Sequence, residues 1–199
     1  MKEGSFLVLV ARDAIEHHLL DRDLKVDFPS WCEEKRGVFV TLETYPKREL
    51  RGCIGYVEPL KPLREGVVEC AIEACYDPRF PPLTSRELDH ITVEVSILTP
   101  LERVEGENQL AKLKKIEEFK HGVLLSLRGR RAVFLPQVWE VLPRKEDFFT
   151  HLALKAGLAP EDWKDEECEI YRFEVQAWRE TEPRGKIEEV KLGEEKWRK

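Results

Sequence analysis

Residues 37–57, with the sequence GVFVTLETYPKRELRGCIGYV, decide the fold because they join two strand patterns through a short loop. Gly37 to Glu43 is rich in the β-branched and aromatic residues that strands favour, and Leu50 to Val57 resumes this pattern. The loop between them, Thr44 to Glu49, contains Pro46, which has no backbone N–H to donate to a sheet. The stretch therefore predicts an antiparallel hairpin.

The second strand of this hairpin is unusual because Gly52 and Gly55 interrupt it. Glycine weakens a strand interior, so such a pair marks a bulge, a bend, or a place where a ligand or another backbone approaches closely. We therefore expect function to be located on this strand.

Helical periodicity occurs outside the hairpin. Residues 5–20 and 62–75 carry apolar side chains three to four positions apart, which predicts two amphipathic helices. The second helix must end before the segment 77–82, where three prolines fix an extended loop. Further strand patterns occupy residues 91–98, 122–127, 131–135 and 169–177, and further helical patterns occupy residues 109–119, 136–141 and 146–155.

Hairpin strands interspersed with helices predict an α+β fold, in which an antiparallel β-sheet is flanked by helices. A doubly wound parallel sheet is disfavoured, because no Gly-x-Gly-x-x-Gly turn follows a strand. We expect one domain over residues 1–178, whose internal division into two lobes stays open, and a charged, peripheral C-terminal tail over residues 179–199.

Composition narrows the functional classes. A net charge of −6 argues against general nucleic-acid or anionic-membrane binding, which requires a dominant basic surface. No apolar stretch approaches the roughly 20 residues that span a bilayer. Five cysteines without a Cys-x-x-Cys pair indicate free thiols rather than a zinc ribbon, so we expect a cytoplasmic protein and no metal. Charged residues at 36% and a single asparagine are typical of thermophiles.

Several blocks of the chain together resemble the AMMECR family. They cover roughly residues 5–178 and comprise LRGCIG at 50–55, DPRF at 77–80, VSILTP at 95–100, HGV at 121–123, FLPQVW at 134–139 and KAGL at 155–158. The resemblance implies an α+β fold with an antiparallel sheet, a larger lobe and a smaller lobe. It implies no established reaction and no known cofactor. Members of the family resemble components of a system with a MEMO-like protein and a radical-SAM protein, so such partners are an expectation.

Cys53 is the first candidate for chemistry, since a thiolate is strongly nucleophilic and the neighbouring Arg51 would lower the pKa of the thiol. In a regular strand these two residues share a face, whereas a bulge separates them. The alternative is a buried structural cysteine, with glycines that permit tight packing.

Asp77 and Arg79 lie on the proline-braced loop after the second predicted helix. Asp77 is a candidate general base, or a partner that orients Arg51. The alternative is an Asp–Arg pair that fastens the loop.

Two more candidates come from the second half of the chain. His121 precedes a predicted strand and is the histidine best suited to proton transfer. The alternative, a structural histidine, is favoured, because nothing in the spacing shows that His121 meets Cys53. Gln137 follows a proline at a predicted strand-to-helix junction, where it either binds an anion or simply starts a helix. Arg128, Arg130 and Arg131 flank a predicted turn; RNA binding there is disfavoured, because no aromatic platform accompanies the charges.

The leading hypothesis is that these segments converge on one small-molecule pocket. In its enzymatic form, Cys53 is the nucleophile or redox thiol, His121 is the base with Asp77 as a further catalytic candidate, and Arg51 stabilises an anion together with the backbone amides of Gly52 to Gly55. Arg79 and Gln137 would bind the ligand. The alternative is a non-catalytic adaptor that contacts MEMO-like and radical-SAM partners through the glycine motif.

Overall fold

The computed structural model describes residues 3–190, which form two compact units. The first unit contains the chain up to Leu98 together with Gln176–Val190, and the second unit contains Thr99–Val175. The α-helices are α1 (Glu3–Leu19), α2 (Leu63–Ala74), α3 (Gln109–Lys114) and α4 (Lys145–Lys155). The strands are β1 (Val38–Thr44), β2 (Leu50–Tyr56), β3 (Ile91–Leu98), β4 (Glu102–Arg103), β5 (Gly122–Leu127), β6 (Arg130–Phe134), β7 (Glu169–Phe173), β8 (Val175–Glu180) and β9 (Ile187–Val190). Short 3₁₀ helices span Ser30–Glu33, Ser85–His90, Pro136–Glu140 and Asp162–Lys164.

The first unit is a five-stranded sheet in the order β2-β1-β3-β8-β9, with α1 and α2 packed on one face. β1 pairs antiparallel with both β2 and β3. Val38, Val40 and Leu42 of β1 are fully buried in the same core cluster as the apolar residues of α1 and α2. Because side chains alternate along a strand, the residues between them face away from the helices.

The predicted hairpin is present, and it contains a bulge. Leu42 pairs with Gly52 and Glu43 pairs with Leu50, so Arg51 is the extra residue opposite the junction of Leu42 and Glu43. The bulge interrupts the regular alternation of side chains between Arg51 and Cys53. Of the two alternatives given by the sequence, the structure therefore has the one in which a bulge separates these residues.

The second unit is a four-stranded sheet in the order β4-β7-β5-β6, in which neighbouring strands are antiparallel. Its core is aromatic: Trp139 stacks on Phe148 with ring centroids 3.6 Å apart, and Phe149 and Trp163 are also buried. The predicted α+β class, with antiparallel sheets flanked by helices, is therefore confirmed.

The structure differs from the sequence predictions at the C-terminal side. The predicted strand 169–177 is two strands, because the chain leaves β7 at Phe173 and enters β8 in the other sheet at Val175. Residues 179–190 of the expected peripheral tail include the end of β8 and all of β9. Residues 191–199 of that tail lie outside the described residues.

The helix predicted over residues 109–119 is also shorter than expected. It ends at Lys114, and Phe119 adopts a positive φ of 63° that no α-helix accommodates. Across residues 3–190, no helix is both long and apolar enough to cross a membrane.

Candidate functional site

The two glycines of β2 allow close packing around Cys53. A Cβ atom on Gly52 would lie 2.3 Å from the carbonyl oxygen of Ala74 at the end of α2. A Cβ on Gly55 would lie 2.3 Å from the carbonyl oxygen of Val38 and 2.4 Å from the ring of Phe39. Gly52 therefore lets the end of α2 approach the strand, and this places the following loop beside Cys53.

That loop covers the outer edge of β2, which is an edge strand of the sheet. The backbone N–H of Cys53 donates to Oδ2 of Asp77 at 2.8 Å, and Nη2 of Arg79 donates to the carbonyl oxygen of Cys53 at 3.4 Å. A carboxylate and a guanidinium thus satisfy the two backbone groups that a further strand would otherwise pair. We name this contact the Asp77–Arg79 clip.

Asp77 is ionised and its oxygens are occupied. The side chain is 1% exposed and accepts hydrogen bonds from Nε (3.0 Å), Nη2 (2.6 Å) and the backbone N–H (3.0 Å) of Arg79. These bonds from Arg79, with the one from Cys53 N–H, hold the pKa of Asp77 well below its ordinary value despite burial. The geometry fits the loop-fastening alternative, because a carboxylate of such low basicity is a poor general base.

Arg51 has a different partner from the one considered in the sequence analysis. Its Nε donates to Oε1 of Glu87 at 2.9 Å, and its side chain is 12% exposed. Its guanidinium lies 5.9 Å from the centroid of Phe80, and that of Arg79 lies 5.7 Å from the same ring. Glu87, and not Asp77, therefore holds Arg51.

The Cys53 thiol is half-buried and accepts a hydrogen bond from Oγ1 of Thr41 at 3.3 Å. Burial raises its pKa above the ordinary value of 9.0, although the Thr41 bond and the Arg79 charge act in the opposite direction. The expectation that Arg51 lowers this pKa is wrong, because Arg51 sits in the bulge and burial outweighs the neighbouring charges.

Sequence reasoning missed a row of polar side chains that crosses three strands beside Cys53. Cys53 is opposite Thr41, and Thr41 is opposite Glu94, on the sheet face away from the helices. Oγ of Ser96 donates a long hydrogen bond, 3.5 Å, to Oε1 of Glu94. We name Cys53, Thr41 and Glu94 the Cys53 row. Its signal in the sequence is the polar residue at every second position of strands such as ITVEVSIL at 91–98, but only the pairing register shows which of these residues are neighbours.

His121 belongs to the second unit, where it lines a cavity of about 110 Å³ with Lys120, Arg172 and Glu174. Its Nδ1 accepts the backbone N–H of Glu117 at 2.9 Å, so the neutral ring carries its proton on Nε2, which lies 3.8 Å from Glu174. Burial and then the Arg172 charge lower the pKa of His121. The side chain is 4% exposed, as a structural histidine would be.

Gln137 also lies in the second unit, exposed in the 3₁₀ helix Pro136–Glu140. The basic turn nearby makes contacts within the chain: Arg128 pairs with Asp165, and Arg130 donates to the carbonyl oxygen of Gly157. Of the residues predicted to form one site, the first unit brings together Arg51, Gly52, Cys53, Gly55, Asp77 and Arg79. His121 and Gln137 are placed in the other unit.

The cysteines are free, and the described part of the chain has no cluster suited to a metal. Cys32, Cys70, Cys75 and Cys168 are buried, and Cys53 is the more accessible thiol. No group of three His, Cys, Asp or Glu side chains within residues 3–190 is arranged to hold a metal ion.

The fold and the clipped glycine strand define an α+β protein whose LRGCIG segment forms the edge of an antiparallel sheet. The AMMECR1 family model matches residues 8–178, and the chain belongs to this family.

Relatives of similar length have been found in archaea. Protein MJ0810 of Methanocaldococcus jannaschii is 46% identical, covering 96% of this chain and 97% of the relative. Protein MK0488 of Methanopyrus kandleri is 45% identical, covering 98% and 97%. The crystal structure of the uncharacterized protein PH0010 from Pyrococcus horikoshii is similar with a TM-score of 0.83 and 39% identity, covering 95% of this chain and 97% of that one.

Proposed function

We propose that this AMMECR1 family protein binds a small polar molecule at the Cys53 row. The observation that carries the proposal is the register of three adjacent strands, which sets a thiol, a hydroxyl and a carboxylate side by side on one sheet face. Small-molecule sites typically rely on a few convergent polar groups held in fixed positions. The Glu94 carboxylate would accept hydrogen bonds from the ligand, and the Thr41 hydroxyl would exchange hydrogen bonds with it.

The rigidity of the strand supports binding at this position. The Asp77–Arg79 clip fixes the backbone of Cys53, and the Thr41 hydroxyl fixes its thiol. A preorganised site loses less conformational freedom when the ligand arrives, so more of the contact energy appears as affinity.

A neutral thiol fits this geometry better than a thiolate nucleophile. The pKa of Cys53 is raised by burial, and the carboxylate closest to its backbone, Asp77, is held by Arg79. The roles of Cys53 as nucleophile and of His121 as base stay predictions, as do the ligand contacts of Arg51, Gly52, Gly55 and Gln137. In the proposed function Cys53 contacts the ligand as a weak hydrogen-bonding and apolar group.

Ligand protection of the thiol tests this proposal. Cys53 is alkylated with iodoacetamide in the presence and absence of the low-molecular-mass fraction of a cell extract, and each cysteine is followed by peptide mass spectrometry. The four buried cysteines are internal controls for unfolding. We expect the fraction to slow labelling of Cys53 several-fold in the wild type and not in Glu94→Gln or Thr41→Val. Absence of protection, or equal protection in all three proteins, would refute the proposal.

An adaptor function with MEMO-like and radical-SAM proteins stays a prediction that comes from the family resemblance. Its support on the glycine strand is limited to Leu50, which is 41% exposed at the start of β2. If a partner protein binds there, the protein fraction of the same extract should protect Cys53 from alkylation and the low-molecular-mass fraction should not. Small-molecule binding predicts the reverse.

A further inference from the structure

The cavity beside His121 in the second unit is a candidate ligand site that is separate from the Cys53 row. Its volume of about 110 Å³ is several times the roughly 10–15 Å³ that one water molecule needs, and it is below the roughly 300–1,000 Å³ of sites for larger ligands. Its walls come from the segment 99–102, the loop after α3 and the end of β7 with Glu174, all within the second unit. The cavity therefore fits a ligand of a few non-hydrogen atoms, or one end of a longer molecule.

The His121 ring is held rigidly in this cavity, and one of its nitrogens lacks a partner. Nδ1 accepts the backbone N–H of Glu117, the backbone N–H of His121 donates to the carbonyl oxygen of Glu117 at 3.1 Å, and Nε1 of Trp139 donates to the carbonyl oxygen of His121 at 2.7 Å. Nε2–H has no hydrogen-bond acceptor among residues 3–190, since the carboxylate oxygen of Glu174 is 3.8 Å away. A histidine as buried as this one normally has both ring nitrogens hydrogen-bonded. Nε2–H is therefore a fixed donor, available to a ligand that brings an acceptor.

The charges around the cavity already have partners inside the second unit. Arg172 donates to Glu102 through Nε at 3.0 Å and through Nη2 at 2.9 Å. Lys120 lies 3.3 Å from Glu117 and 3.4 Å from Glu174. An anion would face three carboxylates, while a cation would face two cations and the Nε2–H donor. A neutral ligand therefore fits the cavity best.

We propose that this cavity binds a primary carboxamide, either as a small amide or as the amide group of a longer molecule. The carbonyl oxygen of the amide accepts the Nε2–H of His121, and its NH₂ group donates to the Glu174 carboxylate. The oxygen and nitrogen of an amide are about 2.2 Å apart, because the bonds that join them to carbon are about 1.2 and 1.3 Å long. Two hydrogen bonds of ordinary length therefore fit between protein atoms 3.8 Å apart. The oxygen of the Thr99 hydroxyl accepts the backbone N–H of Glu174 at 2.8 Å, which leaves the hydroxyl proton for a further hydrogen bond in the cavity.

Groups of other chemistry fit this pair of protein atoms less well. A carboxylate would set one of its oxygens against the Glu174 carboxylate, which is unfavourable. An ammonium group offers no acceptor to Nε2–H. A single hydroxyl oxygen would have to contact both protein atoms and would leave most of the cavity unfilled. A metal ion on Nε2 would require loss of that proton while Nδ1 still accepts the N–H of Glu117, which would make the ring anionic.

Acetamide and acetate are matched probes, because they have the same shape and differ in charge and in the NH₂ group. Each is titrated into the isotope-labelled full chain, and the resonances of the His121 ring and of the Glu174 backbone amide are followed by NMR. We expect acetamide to shift both resonances saturably, with a dissociation constant in the millimolar range. Acetate should bind at least about tenfold more weakly. Ethylene glycol, a neutral probe without an amide, should also bind more weakly than acetamide.

Two substitutions each remove one of the proposed contacts. Glu174→Ala removes the acceptor of the NH₂ group. His121→Asn removes the Nε2–H donor, while the asparagine oxygen can still accept the N–H of Glu117. Each variant should weaken acetamide binding by about tenfold, as read from the backbone amides around the cavity. The matched control is Glu146→Ala, because Glu146 is 71% exposed on α4, and it should leave acetamide binding unchanged.

Thermal unfolding of every variant, followed by circular dichroism, separates lost binding from lost folding. Since Glu174 is half-exposed, Glu174→Ala is expected to fold and keeps the test decisive even if His121→Asn does not. Three results would each overturn the proposal. The first is the absence of a saturable shift with acetamide, and the second is binding of acetate or ethylene glycol as tightly as acetamide. The third is equal affinity for acetamide in the wild type and Glu174→Ala.

Discussion

At the scale of single residues, the thiol of Cys53 is controlled by two opposing effects. Burial favours the neutral form, while the Thr41 hydroxyl and the Arg79 guanidinium favour the thiolate. Since burial is the larger effect, the protein stabilises a thiol rather than a thiolate at neutral pH. The residue scale therefore favours recognition over nucleophilic attack at this position.

The pH dependence of alkylation measures this balance. We expect the labelling midpoint of Cys53 in the folded protein to lie above the ordinary thiol value of 9.0. Thr41→Val should raise the midpoint further and slow labelling at pH 8, because it removes the hydrogen bond that stabilises the thiolate. The measurement is the rate of iodoacetamide labelling against pH. A midpoint near 7 would contradict the assignment and revive the nucleophile hypothesis.

Asp77→Asn tests the clip. The variant loses the ion pair with Arg79 and weakens the bond to Cys53 N–H, and we expect a cost of about 1–3 kcal/mol in the free energy of unfolding. Arg79 is more than half exposed, so the higher figures for fully buried pairs do not apply. Denaturant unfolding checks the value, with Arg144→Gln as an exposed control.

The pH dependence of the stability lost in Asp77→Asn follows from the lowered pKa of Asp77. The stabilisation by ionised Asp77 is complete above the unfolded-state value near 3.8 and is lost as pH falls toward the folded-state pKa. The difference in stability between wild type and Asp77→Asn should therefore be constant at neutral pH and shrink on acidification below about pH 4. A difference that grows on acidification would exclude Asp77 as its source.

At the scale of elements, local patterns were sufficient for the hairpins and for most helices. β1, β2 and the intervening loop were predictable because strand propensity and turn residues act over a few positions. The split between β7 and β8 was not, because alternation continues through Glu174 while the chain changes sheets. The Cys53 row was hidden for the same reason: Glu94 is 41 residues from Cys53 and only the register of β1 with both neighbours aligns them.

Gly52→Ala tests how α2 and β2 fit together. The added methyl group would lie 2.3 Å from the backbone oxygen of Ala74, which cannot rotate away as a side chain would. We expect the end of α2 to shift, at a cost of about 1–3 kcal/mol. We also expect faster alkylation of Cys53 in this variant, because the shift loosens the clip.

Gly129→Ala is a useful contrast. No atom lies within 4 Å of the added methyl group, so its cost is limited to the positive φ of 75°, about 1 kcal/mol. Its alkylation rate at Cys53 should equal that of the wild type. If Gly52→Ala were equally mild in both measurements, close packing would not be the reason for glycine at this position.

At the scale of the whole molecule, the first unit is assembled from both ends of the sequence. Glu180 of β8 accepts a hydrogen bond from Nε of Arg12 at 2.9 Å and from the backbone N–H of Val93 at 3.1 Å. Arg12 also donates to the carbonyl oxygens of Leu88 and Ile91. This network joins α1, β3 and β8, and its two charged side chains are at most 4% exposed. From the sequence alone, Arg12 and Glu180 would each be expected at the surface, because they are 168 positions apart and nothing local shows that they pair.

Glu180→Gln should therefore destabilise the first unit strongly. Removal of Glu180 leaves the buried Arg12 guanidinium with only the more distant Glu16 carboxylate, 4.0 Å away, as a counter-ion. Breaking a buried ion pair typically costs about 3–5 kcal/mol. The matched control is Glu188→Gln. The Glu188 carboxylate pairs with Arg179 at 3.0 Å but is 42% exposed, so its loss should cost about 0–1 kcal/mol.

Replacing both Arg12 and Glu180 by methionine should recover much of the lost stability, since a buried pair is often replaceable by apolar residues of similar size. Denaturant unfolding of the four proteins decides the point. A cost for Glu180→Gln as small as that of Glu188→Gln, below about 1 kcal/mol, would mean that the end of β8 is not integral to the unit, as the expectation of a peripheral tail implies.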